Sequence, residues 1–341
     1  MSNDRPSLAP VRWGILGAAN IATRKVIPAM RASSLSVPHA IASRDLARAQ
    51  AVADELGIPR AYGSYEELLA DPDVEAIYNP LPNHLHVPWS IRAARAGKHV
   101  LCEKPIALSA VEARSLIDAR DATGVQIAEA FMVRTHPQWL EVKRLIDDGR
   151  LGTLRLVSGH FSYYRRDPND IRSRADWGGG ALMDIGCYPI FIARWMFGAE
   201  PTDVVAMIDR DPEMGIDYLT SALMRFPAGQ ATFACAGQLV PYQRMQLFGD
   251  RGRIEVEIPF NAPRDQPCRV LLDDGAELGG ASAVTVEVPA VDQYMLQADA
   301  FSAAVRGVGS VAVSLETAAG NMAVIDALFR SAELRGWQSV A

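Results

Sequence analysis

Two textures of apolar and polar positions divide the chain. From Val11 to Phe131 short apolar runs alternate with segments that repeat at helical spacing. Residues 11–16 form an apolar run that ends at Gly17, and residues 39–43 form another. In residues 45–56 the positions Leu46, Ala49, Ala53 and Leu56 share one helical face, and Gly57 follows as a stop. Ser64 with Glu67, and Ser109 with Glu112, have capping-box spacing. Residues 76–79 form a third clear strand, and Pro88 suits the first turn of a helix that stops at Gly97. Strands over 99–103 and 125–131 complete the series. Such alternation predicts a parallel sheet with helices on both faces.

Beyond residues 124–133 the pattern changes. Strands are predicted over 154–164, 204–210, 220–226, 231–236, 245–248, 254–258, 270–272 and 284–288. Ile254, Val256 and Ile258 alternate with Glu255 and Glu257, the period of a half-exposed strand. Turn signals such as Pro227-Ala228-Gly229 and Asp273-Asp274-Gly275 separate several of these runs. Helices are predicted over 181–197 and about 314–333. The fold class is therefore α/β: a parallel domain over 1–130, then a domain over 131–341 with an open, mostly antiparallel sheet. The last helix is expected to return to the first domain.

Composition narrows the function without naming it. The 341 residues carry 34 Lys+Arg and 40 Asp+Glu, a net charge of −6, whereas a nucleic-acid surface needs a basic excess. Cys102, Cys187, Cys235 and Cys268 form no CxxC pair, which points to reduced thiols rather than a zinc site or disulfide framework. The polar, Pro-containing residues 1–10 lack the apolar stretch of a signal peptide, and no apolar run approaches the ~20 residues of a membrane span. A cytoplasmic protein with neither nucleic-acid nor membrane partners is expected.

Chemistry is concentrated at the ends of the predicted strands. Gly14-Ile-Leu-Gly17-Ala18-Ala19-Asn20-Ile21-Ala22 follows the first strand and opens a helix, the context of a dinucleotide-binding turn. Ala19 stands where the usual pattern has its second glycine, which leaves the pyrophosphate turn resting on Gly17 and the helix end. The second strand ends in Ser43-Arg44, with Arg48 one turn on, and not in the carboxylate that holds the ribose hydroxyls of NAD. A hydroxyl and two guanidinium groups suit the 2′-phosphate of NADP. The plainer alternative makes Arg44 and Arg48 solvated residues of a helix start, with Asp45 pairing Arg48.

Asn79-Pro80-Leu81-Pro82-Asn83-His84-Leu85-His86 forms a stiff loop at the carboxyl edge of the sheet, where open α/β folds bind ligands. His84 and His86 are expected to cap a helix or touch a cofactor; no nearby acid or thiol completes a metal set, and no metal is expected. Glu103-Lys104-Pro105 ends the next strand, with Glu103 placed to steady the Lys104 ammonium and a proline that permits a cis bond. The most specific segment is Trp177-Gly178-Gly179-Gly180-Ala-Leu-Met-Asp184-Ile-Gly-Cys-Tyr188-Pro189. In a helix Asp184 and Tyr188 share a face, the glycines admit close approach by a ligand, and Pro189 kinks the axis. A packing hydrogen bond between Asp184 and Tyr188 is the alternative.

Taken together, these segments, with Glu129-Ala-Phe131-Met-Val-Arg134, resemble the glucose–fructose oxidoreductase / inositol dehydrogenase / rhizopine-catabolism family over nearly the whole chain. The resemblance implies an N-terminal Rossmann domain, a C-terminal α/β domain whose exposed sheet face makes homodimers or homotetramers, and a possible cis bond between Lys104 and Pro105. It implies cofactor contacts from Gly17, Ala18, Ala19, Asn20, Ile21, Ser43, Arg44, Arg48, Pro80, Leu81, Asn83, His86, Glu103 and Lys104. It implies substrate contacts from Phe131, Arg134, Phe161, Trp177, Asp184 and Tyr188. Tyr188 stands where inositol dehydrogenase-like members carry histidine, so the chain looks closest to the NADP-dependent aldose-oxidising branch.

For that branch the expected reaction is oxidation of an aldose at C1, with Lys104, Tyr188 and Asp184 as the catalytic set. Free Tyr and Lys titrate near ~10 and ~10.4, but an ammonium beside a phenol favours the phenolate, and burial destabilises the ammonium. A Tyr188–Lys104 relay is the result, with Asp184 accepting a neighbouring sugar hydroxyl. An aldose–aldose cycle with retained NADP, a dihydrodiol dehydrogenase and a non-catalytic sugar sensor are the rival readings.

Overall fold

The computed structural model describes residues 8–340, so most of the polar start read above lies outside the described residues. The chain divides into two compact units. One gathers the residues up to Ile106, Glu112–Thr135 and Asp292–Glu316; the other gathers Ala107–Val111, His136–Val291 and the residues from Thr317 on.

In chain order the first part contains β1 (Val11–Leu16), α1 (Ile27–Ala32), β2 (Ser36–Ala42), α2 (Leu46–Leu56), β3 (Arg60–Tyr62), α3 (Tyr65–Ala70), β4 (Ala76–Asn79), α4 (His86–Arg95), β5 (His99–Cys102), α5 (Ala110–Thr123) and β6 (Ile127–Glu129). The strands pair in parallel in the order β3-β2-β1-β4-β5-β6. Chain direction across the sheet reverses between β1 and β4, which opens a crevice at their carboxyl ends. Trp13, Ile15, Ala40, Ile41, Ile77 and Tyr78 are fully buried, as expected for strands covered on both faces. Two local signals act as read: Ser64 caps α3 by accepting from Glu67 N, and Gly57 ends α2 in the left-handed conformation. Asp45 caps α2 by accepting from the Ala47 and Arg48 amides, a role its spacing had not suggested.

The second part contains α6 (Pro137–Asp147), β7 (Leu154–Tyr164), α7 (Cys187–Phe197), β8 (Asp203–Arg210), β9 (Asp217–Arg225), β10 (Gln230–Ala236), β11 (Gln238–Gly249), β12 (Arg253–Val256), β13 (Cys268–Asp273), β14 (Val284–Val288), α8 (Gln293–Val305), α9 (Leu315–Leu334) and β15 (Gln338–Ser339). Its nine-stranded sheet has the order β14-β13-β12-β11-β7-β10-β9-β8-β15 and is antiparallel except at β10–β7. One face is apolar and buried through Met224, Phe233, Phe161, Met245, Leu247, Ile254 and Val270. The other carries Met207, Leu223, His160, Arg244, Gln246 and Glu255.

Several predicted bounds change for physical reasons. The strand expected to reach Ile258 stops at Val256, because the carbonyls of Ile258 and Pro259 accept from Gln138 Nε2 and Trp139 Nε1 instead of joining a ladder. β11 extends well ahead of the predicted start because β7 offers it a long partner. Strands β3 and β15 and helices α6 and α8 carried no clear local signal. The segment grouped with the first unit near the chain's end holds α8, and the last helix, α9, meets α5 where Asp326 Oδ2 accepts from Ala110 N. Helix α8 packs Ala298 and Phe301 into the first core and brings Ser302 within 2.9 Å of Ser36 Oγ. Most of α9 belongs to the second unit, where Ser331 Oγ accepts from Ala206 N on β8.

Candidate active site

In the first unit the reversal point assembles the predicted cofactor rim. Gly17 ends β1 at φ +80°, and its N–H donates to Ala42 O at 2.7 Å. A Cβ there would sit in a left-handed conformation and 3.1 Å from Leu81 Cδ2, so the turn is a cradle that only glycine fills without strain. The chain then enters a wide turn of π-helix, Ala22–Val26, ahead of Pro28. At the end of β2, Ser43 Oγ accepts from Asp45 N. Arg48 does not pair with Asp45: the carboxylate caps the helix backbone, and the Arg48 guanidinium donates to Ala18 O at 3.1 Å in the glycine turn. Arg44 is exposed. Burial raises the Tyr65 hydroxyl above its ordinary pKa while Arg44 and Arg48 oppose that shift, so the phenol lies within the field of both. Tyr65 escaped the sequence reading, which had no local signal to join it to Gly17.

The β4–α4 loop is anchored from beneath. Asn79 donates to His86 O and Ser90 Oγ at 3.1 Å each, and its Oδ1 accepts from Leu81 N. Pro80 and Leu81 are buried, and Asn83 opens a short 3-10 turn. The cofactor contact expected of His86 gives way to a supporting role. The ring is 1% exposed, with Nδ1 2.7 Å from Pro105 O and Nε2 2.7 Å from Leu81 O. Burial, foremost, lowers its pKa to about 4. The histidine therefore ties the loop after β4 to the turn after β5.

That turn carries Lys104, which is half-buried, and its bond to Pro105 is cis. Glu103 accepts from the Tyr78 hydroxyl at 2.5 Å, and Ile106 N donates to buried Glu129 Oε1 at 2.8 Å. Lys104 is thus held between two pinned neighbours. Phe131 is fully buried, and burial lowers the pKa of half-buried Arg134.

In the second unit the Asp184–Tyr188 segment is helical, as expected. Its first turn, Leu182–Gly186, is π-helix, and α7 continues through Pro189. The wide turn accommodates the crowding that a proline ring imposes on the carbonyl four residues before it. Tyr188 packs edge-on against Phe161 at 5.8 Å between ring centroids and lies 5.1 Å from Phe260. Asp184 Oδ2 accepts from Tyr163 Oη at 2.7 Å and from Arg172 Nε at 2.9 Å. Burial and Asp184 push the Tyr163 hydroxyl well above its ordinary pKa, and Asp184 raises that of Arg172. Phe161 and Tyr163 lie two residues apart on β7, a rise of about 6.6 Å, which matches the rise of about 6 Å between Asp184 and Tyr188 on a helix. Strand alternation from Phe161 would have revealed Tyr163; nothing local marks Arg172 or Phe260. Trp177 lies beneath the Arg174 guanidinium, 4.7 Å from the ring centroid.

The glycine run serves the chain itself. Gly179 N and Gly180 N donate to Arg174 O and Arg172 O at 2.9 Å each, and a Cβ on Gly179 would strike Arg172 O. Gly180 has φ +109°, and a Cβ there would overlap the Asp217 carboxylate. At Gly179 and Gly180 the space expected to admit a ligand is filled by protein.

Sequence comparison matches residues 11–131 to the oxidoreductase family with an NAD-binding Rossmann fold, and residues 139–255 to the GFO/IDH/MocA C-terminal domain. An uncharacterized oxidoreductase of Rhizobium meliloti is 51% identical, covering 97% of this chain and 99% of its own. A D-xylose 1-dehydrogenase (NADP(+)) of Haloferax volcanii is 40% identical, covering 94% and 97%. A 3-ketoreductase from Actinomadura kijaniata, solved with NADP and TDP-benzene, superposes with a TM-score of 0.88 at 32% identity, over 94% of this chain and 98% of that one. Among the described residues no helix is long and apolar enough to cross a membrane.

Proposed function

The chain belongs to the GFO/IDH/MocA oxidoreductase family, and from that premise we propose that it is an NADP-dependent sugar dehydrogenase that oxidises the C1 hydroxyl of an aldose to the lactone. The observation that carries the reading is the Asp184–Tyr188 turn: a phenol and a carboxylate on one buried helical segment, each seated on its own aromatic of β7. The D-xylose dehydrogenase relative supports the substrate class. The residues at the crevice fit the cofactor, with a cradle at Gly17 and Ser43, Arg44 and Arg48 where an NAD-binding strand end carries an acid. Bound NADP⁺ supplies the acceptor for the C1 hydride.

The protein's own part is to move a proton and hold an anion. As the C1–H bond breaks, Tyr188 takes the hydroxyl proton and the C–O single bond becomes the lactone carbonyl. The Lys104 ammonium stabilises the negative charge on that oxygen and favours the phenolate of Tyr188. Asp184, polarised by Arg172 and Tyr163, accepts a neighbouring sugar hydroxyl. Phe131, Arg134, Phe161 and Trp177 complete the substrate contacts, and the indole suits the C–H face of a pyranose. The sheet face with Met207 and Leu223 serves homodimers or homotetramers.

The 3-ketoreductase relative favours a second reading in which the same groups run in reverse on a ketosugar, Tyr188 donating its proton. Nicotinamide absorbance across aldoses, ketosugars and diols, with wild type, Tyr188→Phe and Lys104→Ala, tests both. Aldose oxidation with a loss of at least about a hundredfold in each variant is expected. NADP(H) that copurifies and turns over without exchange would mark an aldose–aldose cycle. Wild-type turnover in either folded, NADP-binding variant overturns the assignment.

A further inference from the structure

We propose that Asp217 is a positioning residue for this reaction: from the first residue of β9 it fixes the N-terminal turn of the helix that carries Asp184 and Tyr188. The proposal rests on the reading of those two residues given above. Asp217 is 2% exposed. Its Oδ2 accepts from Leu182 N at 2.6 Å and from Thr220 Oγ1 at 3.3 Å. Leu182 opens the π-turn that contains Asp184, so the bond holds the turn two residues before the carboxylate and six before the phenol. Gly180 completes the fit, since any side chain there would displace the Asp217 carboxylate. The third glycine of the run is therefore explained by an acid that sits far along the sequence.

The surroundings of Asp217 are specific. Thr220 faces it from β9, Cys235 from β10 and Arg210 from β8. Tyr163, Arg165, Arg172, Tyr218 and Gln238 share the small cavity it lines. Arg165 is paired with Asp170 and Arg172 with Asp184, which leaves Asp217 without a guanidinium of its own among these. Burial, foremost, raises its pKa to about 6, against the opposing pull of Leu182 N, Thr220 and Arg210. The sign of the linkage follows. A carboxyl whose folded pKa is raised is favoured by the fold when protonated, so relative to a neutral isostere it costs nothing below about pH 4 and costs progressively more as pH rises through 6. At neutral pH the ionised group is a burden on stability. What it supplies is a negative charge fixed at the positive end of a helix, and hence the position of that helix.

Two substitutions test this on the full-length enzyme, with Tyr188→Phe measured alongside. Asp217→Asn keeps an acceptor for Leu182 N and removes the charge. It should melt higher than wild type at pH 8, the gap closing as pH falls through about 6. Its kcat should be lower by about tenfold and its KM for NADP unchanged, and the fall in kcat expected of wild type below pH 6 should be absent. Hydrogen exchange should show protection of the Leu182 amide that titrates near pH 6 in wild type and is independent of pH in Asp217→Asn. Asp217→Ala, where folded, should lose more turnover than Asp217→Asn, which restores the acceptor. Wild-type kcat and an unchanged acid limb in Asp217→Asn, or Leu182 protection that ignores pH in wild type, would overturn the proposal. If Tyr188→Phe keeps full turnover, the reading of the site fails and this role falls with it; if only Asp217→Asn keeps full turnover, the positioning role alone fails.

Discussion

The helix after Gly17 and the helix bearing Asp184 and Tyr188 begin alike and are used in opposite ways. Each opens with a π-turn, Ala22–Val26 in one and Leu182–Gly186 in the other, and each carries a proline soon afterwards, Pro28 or Pro189. In the first case Ile27 N reaches back five residues to Ala22 O, which keeps a backbone bond where the proline ring would crowd a tighter turn. Around the start of the first helix Ala18, Ala19, Asn20 and Ile21 are half-buried or exposed. Around the start of the second, Gly180 to Met183 are all buried, and the carboxylate of Asp217 sits on the Leu182 amide. A helix N-terminus attracts negative charge. The first of these ends is the one we propose receives a phosphate brought by the cofactor, and the other is filled by an acid of the chain. The difference teaches that a glycine-rich helix start does not by itself mark a ligand: Gly17 leaves the proposed cofactor turn open, and Gly180 makes room for Asp217.

Three substitutions sharpen or break that contrast. The largest effect is expected from Gly180→Ala, which combines a left-handed φ of +109° with overlap on Asp217. Loss of roughly 3 kcal/mol or more of stability, measured by denaturant unfolding, should accompany loss of turnover while any folded fraction still binds NADP. A tolerated alanine would mean that Asp217 can move without cost. Gly17→Ala comes next. Its Cβ meets the flexible end of Leu81 at 3.1 Å and the Tyr65 hydroxyl at 3.5 Å, so strain of about 1–2 kcal/mol is expected together with a weakening of NADP binding by about tenfold, read by nicotinamide fluorescence. Binding as tight as wild type would remove the ligand role from the first helix end. Arg48→Ala should do least, raising KM for NADP several-fold through loss of a guanidinium and of its bond to Ala18 O. Utilisation of NAD should barely change; an equal loss for both cofactors would assign Arg48 to holding the glycine turn alone.

How much was legible follows from how far each partner lies along the chain. Ser64 caps a helix from a position close to the amide it satisfies, and Gly57 ends one, so spacing revealed both. The alternation of the first sheet and the shared face of Asp184 and Tyr188 are likewise properties of a few consecutive residues. Tyr163 was within reach, because it repeats Phe161 at the strand period. Three readings changed once burial was known. His86 turned from a cofactor contact into a clamp on two carbonyls, the alternative pairing of Arg48 with Asp45 gave way to a bond to Ala18 O, and Gly179 and Gly180 turned from a ligand approach into close packing against Arg172 and Asp217.

By itself the sequence determined the class of fold and the residues that follow β1 and β2 at the crevice, and it supplied the phenol, ammonium and carboxylate that we propose for the chemistry. These are set by periodicity and by residue type, which are local. Only the tertiary structure decided which acid caps the helix of Tyr188, which groups hold Asp184, and where a carboxyl titrates near neutrality. Those depend on desolvation and on partners supplied by other strands. A lone aspartate at the start of β9 carries no local sign that the fold will bury it beneath a glycine.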